Sequence, residues 1–211
     1  MMFNFKKGNG SFFAKIIMNI LYVHGLGSSG NSETAMKLEN IFIQHKVFHP
    51  DIPLDPNEAI LFIKDFVLTN NINVIIGTSL GSFYSKFVDG PFKILINPAL
   101  PDDIMQFIPG KYKYYSKRED SIDTYSLDKD YYNKLNNLEA KFNYNDSKQS
   151  FVILGTNDSV CNNFEYFNNA NYTIYFIEDM GHRVNDSGID CIITLLKNIE
   201  DKINKKGYLI T

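Results

Sequence analysis

A serine lies between two glycines directly after an apolar run, and this pattern limits the possible folds more than any other in the chain. Residues 77–81 read Gly-Thr-Ser-Leu-Gly and follow Asn-Val-Ile-Ile at 73–76. When a strand enters a helix through such a short turn, the serine hydroxyl stands above the edge of the sheet, and the glycines allow close backbone approach. The pattern therefore predicts that Ser79 is a nucleophile presented on a strand-to-helix turn.

A second loop about fifty residues earlier complements this serine. His24-Gly25-Leu26-Gly27 follows another apolar run at 20–23. Acyl transfer generates a negative oxygen, which backbone N–H groups stabilise when they point at it. We expect one such group from Leu80, directly after the serine, and a second from Leu26. The alternative is a simple glycine turn with a structural histidine.

Two further chemical groups follow apolar runs late in the chain. Asp158 lies on the loop after the predicted strand at 151–155, and His182 lies on the loop after the predicted strand at 172–177. A serine hydroxyl needs an imidazole to take its proton, and a carboxylate orients that imidazole. The chain order Ser, Asp, His is the order of the α/β-hydrolase fold. We therefore predict Ser79, Asp158 and His182 as a catalytic triad.

Other histidines compete for the role of base. His24 belongs to the loop that we assign to the oxyanion, His45 lies in a helix-like stretch, and His49 lies near the end of a short strand, where a surface or turn position is the simpler interpretation. His182 alone follows a glycine on the loop after the last predicted strand. The sequence thus favours His182.

Other acidic side chains compete with Asp158. Glu178, Asp179 and Asp186 crowd close to His182 in the sequence, where solvation and local hydrogen bonding are their simplest roles. Asp158 instead follows an apolar strand and a glycine, so a short loop can direct its carboxylate inward. Cys161, three residues further on, is expected near the site as a small packing residue.

Composition limits the remaining possibilities. The chain has 211 residues, of which 44% are hydrophobic, and its 21 basic and 24 acidic residues leave a net charge of −3. This length suits one domain with a substantial core, and the charge does not favour a nucleic-acid partner. The two cysteines match no zinc-site spacing. No stretch is apolar enough to span a membrane, and no signal-peptide cleavage site precedes the first strand, so we expect a cytoplasmic protein.

Strand and helix signals alternate along the chain, which predicts a mostly parallel sheet of about six strands with helices on both faces. We expect an N-terminal extension at 1–17 and a single domain at 18–211. Helices are expected at about 32–44 and 189–203. The region at about 101–148 interrupts the alternation and holds seven of the thirteen tyrosines, with apolar residues at helical spacing near its end. We predict a small cap there whose aromatic side chains line a substrate pocket or pack the cap onto the sheet.

Several motifs together resemble the YqiA-like small bacterial esterases, an α/β-hydrolase family, from about residue 18 to about residue 199. The motifs are Leu21-Tyr22-Val23-His24-Gly25, Gly77-Thr78-Ser79-Leu80-Gly81, Ile94-Leu95-Ile96-Asn97-Pro98-Ala99, Gly155-Thr156-Asn157-Asp158 and Gly181-His182. The resemblance implies an esterase with a Ser79–Asp158–His182 triad, no metal or organic cofactor, and acyl esters or acyl thioesters as substrates. Thr78 and Ser82 depart from the usual family residues, which affects the expected substrate fit more than the expected catalysis.

Two alternatives to an esterase stay open at the level of sequence. The same triad can transfer an acyl group to another acceptor, because the chemistry before the acceptor step is shared. The fold can also serve as a binding module with a vestigial triad, since a fold alone does not dictate a function.

Overall fold

The computed structural model describes residues 17–142 and 149–207. The predicted extension falls outside these ranges except for Ile17, and so do residues 143–148 at the end of the predicted cap. The described part forms strands β1 (Asn19–Val23), β2 (Lys46–Phe48), β3 (Val74–Thr78), β4 (Phe92–Ile96), β5 (Gly110–Lys113), β6 (Thr124–Leu127), β7 (Ser150–Gly155) and β8 (Thr173–Ile177). Its helices are α1 (Glu33–Ile41), α2 (Pro56–Thr69), α3 (Leu80–Ser85), α4 (Pro101–Met105), α5 (Lys129–Glu139), α6 (Phe164–Asn169) and α7 (Asp186–Gly207).

Six strands form one sheet in the order β2-β1-β3-β4-β7-β8, and every neighbouring pair is parallel. The sequence-based prediction of a mostly parallel six-stranded sheet is therefore confirmed. Because all strands run the same way, the loops that follow them gather at one edge of the sheet. The loops after β1, β3, β7 and β8 carry the predicted site residues.

Alternate side chains of each central strand enter separate cores. Leu21 and Ile75 pack with α2, α3 and α5 on one face of the sheet. Ile20 and Ile76 pack with α1 and α7 on the other face. The central strands are thus buried on both sides, as expected for a parallel sheet covered by helices.

Polar side chains mark the beginnings of several helices. Ser32 accepts a hydrogen bond from the backbone N–H of Ala35 at the start of α1, and Asp128 accepts one from Tyr131 at the start of α5. Asp55 caps α2, with Pro56 as the first helical residue. Such caps satisfy backbone donors that have no partner inside the helix.

Two predicted helix boundaries need correction. Helix α1 ends at Ile41, so His45 lies in a turn rather than in a helix. There the Nδ1 atom of His45 accepts a hydrogen bond from the backbone N–H of Met18 at 3.2 Å, a contact between distant residues that local spacing does not reveal. Helix α7 begins at Asp186, three residues before the expected start.

The region between β4 and β7 folds into more structure than its sequence predicted. The expected helix is α5, but α4 and an antiparallel hairpin of β5 and β6 precede it. Tyr112 and Tyr125 face each other across the hairpin, with stacked rings whose centroids lie 5.6 Å apart. Tyr125, Tyr131 and Leu135 enter the core shared with α2 and α3. We call residues 101–142 the insertion.

Candidate active site

Ser79 occupies a strained turn between β3 and α3. Its backbone has φ 51° and ψ −119°, in a region that residues other than glycine rarely adopt. The turn is held from both sides, because the Ser79 N–H donates to the Ile96 carbonyl at 2.9 Å and the Ser79 carbonyl accepts from the Ala99 N–H at 3.2 Å. Backbone strain of this kind accumulates at functional sites.

The flanking glycines are required by contact with neighbouring backbone. A Cβ atom at Gly77 would lie 2.7 Å from the Cα atom of Ser82, and one at Gly81 would lie 2.1 Å from the carbonyl oxygen of Val23. Neither neighbour is the movable end of a side chain. Helix α3 therefore packs closely against the sheet only because these two positions lack side chains.

His182 and Asp158 contact each other directly. The His182 Nδ1 atom lies 2.9 Å from Oδ2 of Asp158, whose side chain is only 1% exposed. The other carboxylate oxygen accepts the backbone N–H groups of Val160 and Cys161 at 2.7 and 3.0 Å. Burial raises the pKa of the Asp158 carboxyl, but the hydrogen bonds from His182 and the two amides outweigh burial, so that the pKa is lowered. Asp158 is thus ionised at neutral pH.

Asn97, directly after β4, positions the loop that carries His182. Its side-chain amide donates to the carbonyls of Gly181 and His182 at 2.8 and 3.2 Å, and its carbonyl accepts the Gly155 N–H at 2.8 Å. Asn97 is buried and has a positive φ of 42°. Sequence reasoning assigned it no role, although a polar residue directly after a buried strand was an available signal.

His24 anchors the loop after β1. Its Nδ1 atom donates to the Gly25 carbonyl at 2.9 Å, and its Nε2 atom accepts the Ile52 N–H at 3.0 Å. Burial lowers the pKa of His24 to about 4, so the ring is neutral. These two bonds require the tautomer with the proton on Nδ1. The loop lies against the turn at Ser79, because a Cβ atom at Gly25 would be 3.2 Å from the Cβ atom of Ser79.

The insertion is hydrogen-bonded to the loop after β1 at several points. The Tyr115 N–H donates to the Gly27 carbonyl at 2.7 Å, and the Ser29 hydroxyl donates to the Lys117 carbonyl at 3.0 Å. The carboxylate of Asp51 joins both segments, because it accepts the Gly30 N–H at 2.8 Å and the Glu119 N–H at 2.6 Å. The insertion therefore supports the loop on which Leu26 lies.

Cys161 places its thiol among the predicted catalytic groups. Its sulfur lies within 4.8 Å of ligating atoms of Asp158 and His182. These three side chains form a conceivable metal-ligand set. However, His182 and Asp158 are bonded to each other, and burial raises the pKa of the thiol. The arrangement therefore suits a hydrogen-bonded pair with a neutral thiol beside it better than a metal centre.

A cleft of about 470 Å³ brings most of the predicted residues together. Ser79, His182, Gly25 and Leu26 all line it, and Asp158 contacts His182. The competing residues have other partners. His49 lies beside the carboxylate of Glu39. Asp179 accepts a hydrogen bond from the side chain of Asn157, and Asp186 forms an ion pair with Lys37.

Comparison with known proteins places the chain in a family and a fold. The model of an uncharacterised protein family, UPF0227, matches residues 19–188. Among solved structures, the monoacylglycerol lipase of Paleococcus ferrophilus is 14% identical over 87% of this chain and 94% of that chain, with a TM-score of 0.59. Est1E from Butyrivibrio proteoclasticus is 12% identical over 91% and 89%, with a TM-score of 0.61.

A third similar structure names the fold directly. The α/β hydrolase GrgF from Penicillium sp. sh18 is 12% identical over 90% of this chain and 92% of that chain, with a TM-score of 0.62. The chain therefore has the α/β-hydrolase fold that the order of its motifs predicted. Within residues 17–142 and 149–207, none of the helices combines the length and apolar character needed to cross a membrane.

Proposed function

This chain belongs to the UPF0227 family, the YqiA-like proteins, and from its site geometry we propose that it is a serine hydrolase that cleaves small carboxylic esters through an acyl-enzyme. The observation that carries the proposal is the 2.9 Å contact between His182 and the buried carboxylate of Asp158, in a cleft that also contains Ser79 on its strained turn. A buried carboxylate that orients an imidazole beside a serine is what acyl transfer requires.

The roles follow from the hydrogen bonds. Because the Nδ1 atom of His182 faces Asp158, its Nε2 atom carries the free lone pair and accepts the Ser79 proton as the serine oxygen attacks the ester carbonyl carbon. Asp158 stabilises the imidazolium ion that forms. His182 then returns the proton to the departing alcohol, and the acyl group stays on Ser79. In the second half of the reaction, His182 takes a proton from a water molecule, which attacks the acyl carbon and releases the acid and the free Ser79 hydroxyl.

The backbone N–H groups of Leu80 and Leu26 are our candidates to stabilise the negative oxygen of the tetrahedral intermediate. Leu80 is the first residue of α3, where backbone donors lack partners within the helix. Among the described residues, neither of these two N–H groups donates to another protein group. Leu80 follows Ser79 in the chain, and Leu26 lines the same cleft as Ser79.

Replacement of the nucleophile tests the proposal. We expect Ser79→Ala to lower the turnover of p-nitrophenyl acetate by more than about 10⁴-fold and to abolish labelling by a fluorophosphonate probe. Ser187→Ala, at an exposed serine outside the cleft, is the matched control and should keep both activities. Equal turnover by wild type and Ser79→Ala, or an unlabelled but folded wild type, would overturn the proposal.

A further inference from the structure

One tyrosine of the insertion differs from the others in its exposure. The rings of Tyr112 and Tyr125 stack on each other, and those of Tyr131 and Tyr132 meet edge to face with centroids 6.0 Å apart. Tyr115 is 72% exposed, and within residues 17–142 and 149–207 its side chain makes neither a hydrogen bond nor a ring-to-ring contact. The other four rings pack the insertion together, whereas the ring of Tyr115 is open to a ligand.

The backbone around this exposed ring is nevertheless fixed. The Tyr115 N–H donates to the Gly27 carbonyl at 2.7 Å, and the hydroxyl of the next residue, Ser116, accepts from the Ser29 hydroxyl at 2.8 Å. The ring lies beside Gly27, because a Cβ atom there would be 2.9 Å from the Cε2 atom of Tyr115. A ring whose backbone is already held loses little freedom when a ligand covers it.

The ring of Tyr115 borders the cleft that contains Ser79 and His182. Among the described residues of the insertion, only Tyr115 and Ser116 line this cleft. Its volume of about 470 Å³ lies in the range of small-molecule sites. Because one cleft holds the candidate nucleophile, the base and the exposed ring, a substituent of an ester bound at Ser79 has room to reach Tyr115.

Apolar side chains from other elements border the same cleft. Leu26 lies on the loop after β1, Val184 lies just before α7, and Ile189 lies within α7. Polar side chains, including that of Arg183, also line the cleft, so its apolar surface is local. A planar apolar group packs best against an aromatic ring, where stacked or edge-to-face contact adds to the effect of burial.

We propose that Tyr115 is a specificity-determining residue, whose ring packs against an aromatic group that the substrate carries on its acyl or its alcohol side. This inference rests on the proposed function and adds a substrate-binding residue and a chemical class of substrate to it. Tyr115 has no part in the proton transfers of Ser79, His182 and Asp158. Its replacement should therefore weaken selection and leave the chemistry intact.

Three esters that differ by one phenyl group test this inference on the full-length protein. Methyl acetate has no ring, benzyl acetate carries a phenyl group on its alcohol side, and methyl phenylacetate carries one on its acyl side. The kcat/KM of the wild type should be at least about tenfold higher for one or both phenyl esters than for methyl acetate. Tyr115→Ala should lower this preference at least about fivefold, mainly through KM, with hydrolysis of methyl acetate unchanged.

Two variants serve as controls for the loss of the ring. Tyr115→Phe keeps the aromatic face and removes only the hydroxyl, so it should keep the wild-type preference. Ile122→Ala truncates another exposed apolar side chain of the insertion, at a position outside the cleft, and should also keep the preference.

The outcomes separate the inference from the proposed function. If fluorophosphonate labels Ser79 but wild type does not prefer either phenyl ester, or Tyr115→Ala keeps the preference, the inference is wrong and the hydrolase stands. An equal loss for methyl acetate in Tyr115→Ala would assign Tyr115 a structural role and also overturn the inference. A loss confined to benzyl acetate places the ring beside the alcohol, and one confined to methyl phenylacetate places it beside the acyl group. If wild type neither labels nor cleaves any ester, the proposed function fails and the inference fails with it.

Discussion

The turn at Ser79 and the insertion are held in place by different means. The turn at Ser79 depends on backbone against backbone, with no room for a Cβ atom at Gly77 or Gly81. Apart from the backbone bond between Tyr115 and Gly27, the insertion is attached mainly through side chains, including the ion pair of Lys86 with Glu139 and the bridge made by Asp51. Backbone packing leaves one geometry available, whereas side-chain contacts can be exchanged. Under the proposed function, the fixed backbone geometry at Ser79 suits the reacting groups. The side-chain contacts of the insertion suit a part of the molecule that selects the substrate.

The largest contrast is expected between two glycines. Gly81→Ala would place a methyl group 2.1 Å from the Val23 carbonyl oxygen, so we expect a loss of about 3 kcal/mol or more in the free energy of unfolding. Gly110→Ala, in strand β5 of the insertion, would meet its nearest atom only at 3.8 Å and should change stability little. Urea denaturation of both variants measures the difference. Equal losses would mean that the turn is no more tightly packed than the insertion.

The attachment of the insertion to α3 should be the next most sensitive feature. Lys86 is buried, pairs with Glu139 and lies 4.7 Å from the ring centroids of Phe83 and Phe142. Burial lowers its pKa to about 8, so it is charged at neutral pH. Lys86→Met leaves the Glu139 charge without its partner, and we expect a loss of roughly 3 kcal/mol.

Lys134→Met is the matched control for this ion pair. Lys134 also joins the insertion to the main domain, through Asp55, but its amino group lies at the surface, where solvent weakens such pairs. Its replacement should cost much less stability in the same denaturation experiment. A loss equal to that of Lys86→Met would show that burial does not govern these attachments.

The pH dependence of stability tests the role of His24 as the anchor of the loop after β1. The pKa of His24 falls from 6.5 to about 4 on folding, so between these values the unfolded chain binds the proton and the folded chain does not. Stability from this group is complete above pH 6.5, and about 3 kcal/mol of it is lost as the pH falls to 4.

Comparison with a variant isolates this contribution from other acid-sensitive groups. His24→Gln, which cannot titrate, should lose less free energy of unfolding between pH 6.5 and pH 4 than the wild type. A His24→Gln variant with an unchanged slope would contradict the assignment of His24 as a buried neutral ring.

The smallest effect is expected where the insertion meets the loop after β1, which carries the proposed oxyanion donor Leu26. Asp51→Ala removes the acceptor shared by the N–H groups of Gly30 and Glu119. We expect kcat to fall about tenfold with little change in KM, because a shifted donor costs less than the hundredfold or more of a donor lost outright. Steady-state ester hydrolysis measures this. Glu119→Ala, which keeps the backbone contact, should have near wild-type kcat, and a raised KM alone in Asp51→Ala would indicate a binding role instead.

The elements that the sequence predicted depend on residues close together in the chain, whereas those that it missed depend on residues far apart in the chain. Strand, turn and helix patterns around Ser79 lie within about ten residues, and the predicted parallel sheet is confirmed. The β5–β6 hairpin was missed, because each of its strands has only four residues and the two pair across a ten-residue loop. Asn97 and Asp51 were missed as positioning groups for a related reason, since their partners lie far along the chain.

The alternation of strands and helices in the six-stranded sheet, the three candidate triad residues and the glycines of the Ser79 turn follow from the sequence alone, because each was indicated by a local pattern of neighbouring residues. The contact between His182 and Asp158, the support of the Leu26 loop by the insertion, and the volume of the cleft follow only from the folded chain. These properties depend on distances between segments as far apart in the chain as Tyr22 and Ile189, which are set when the helices pack onto both faces of the sheet.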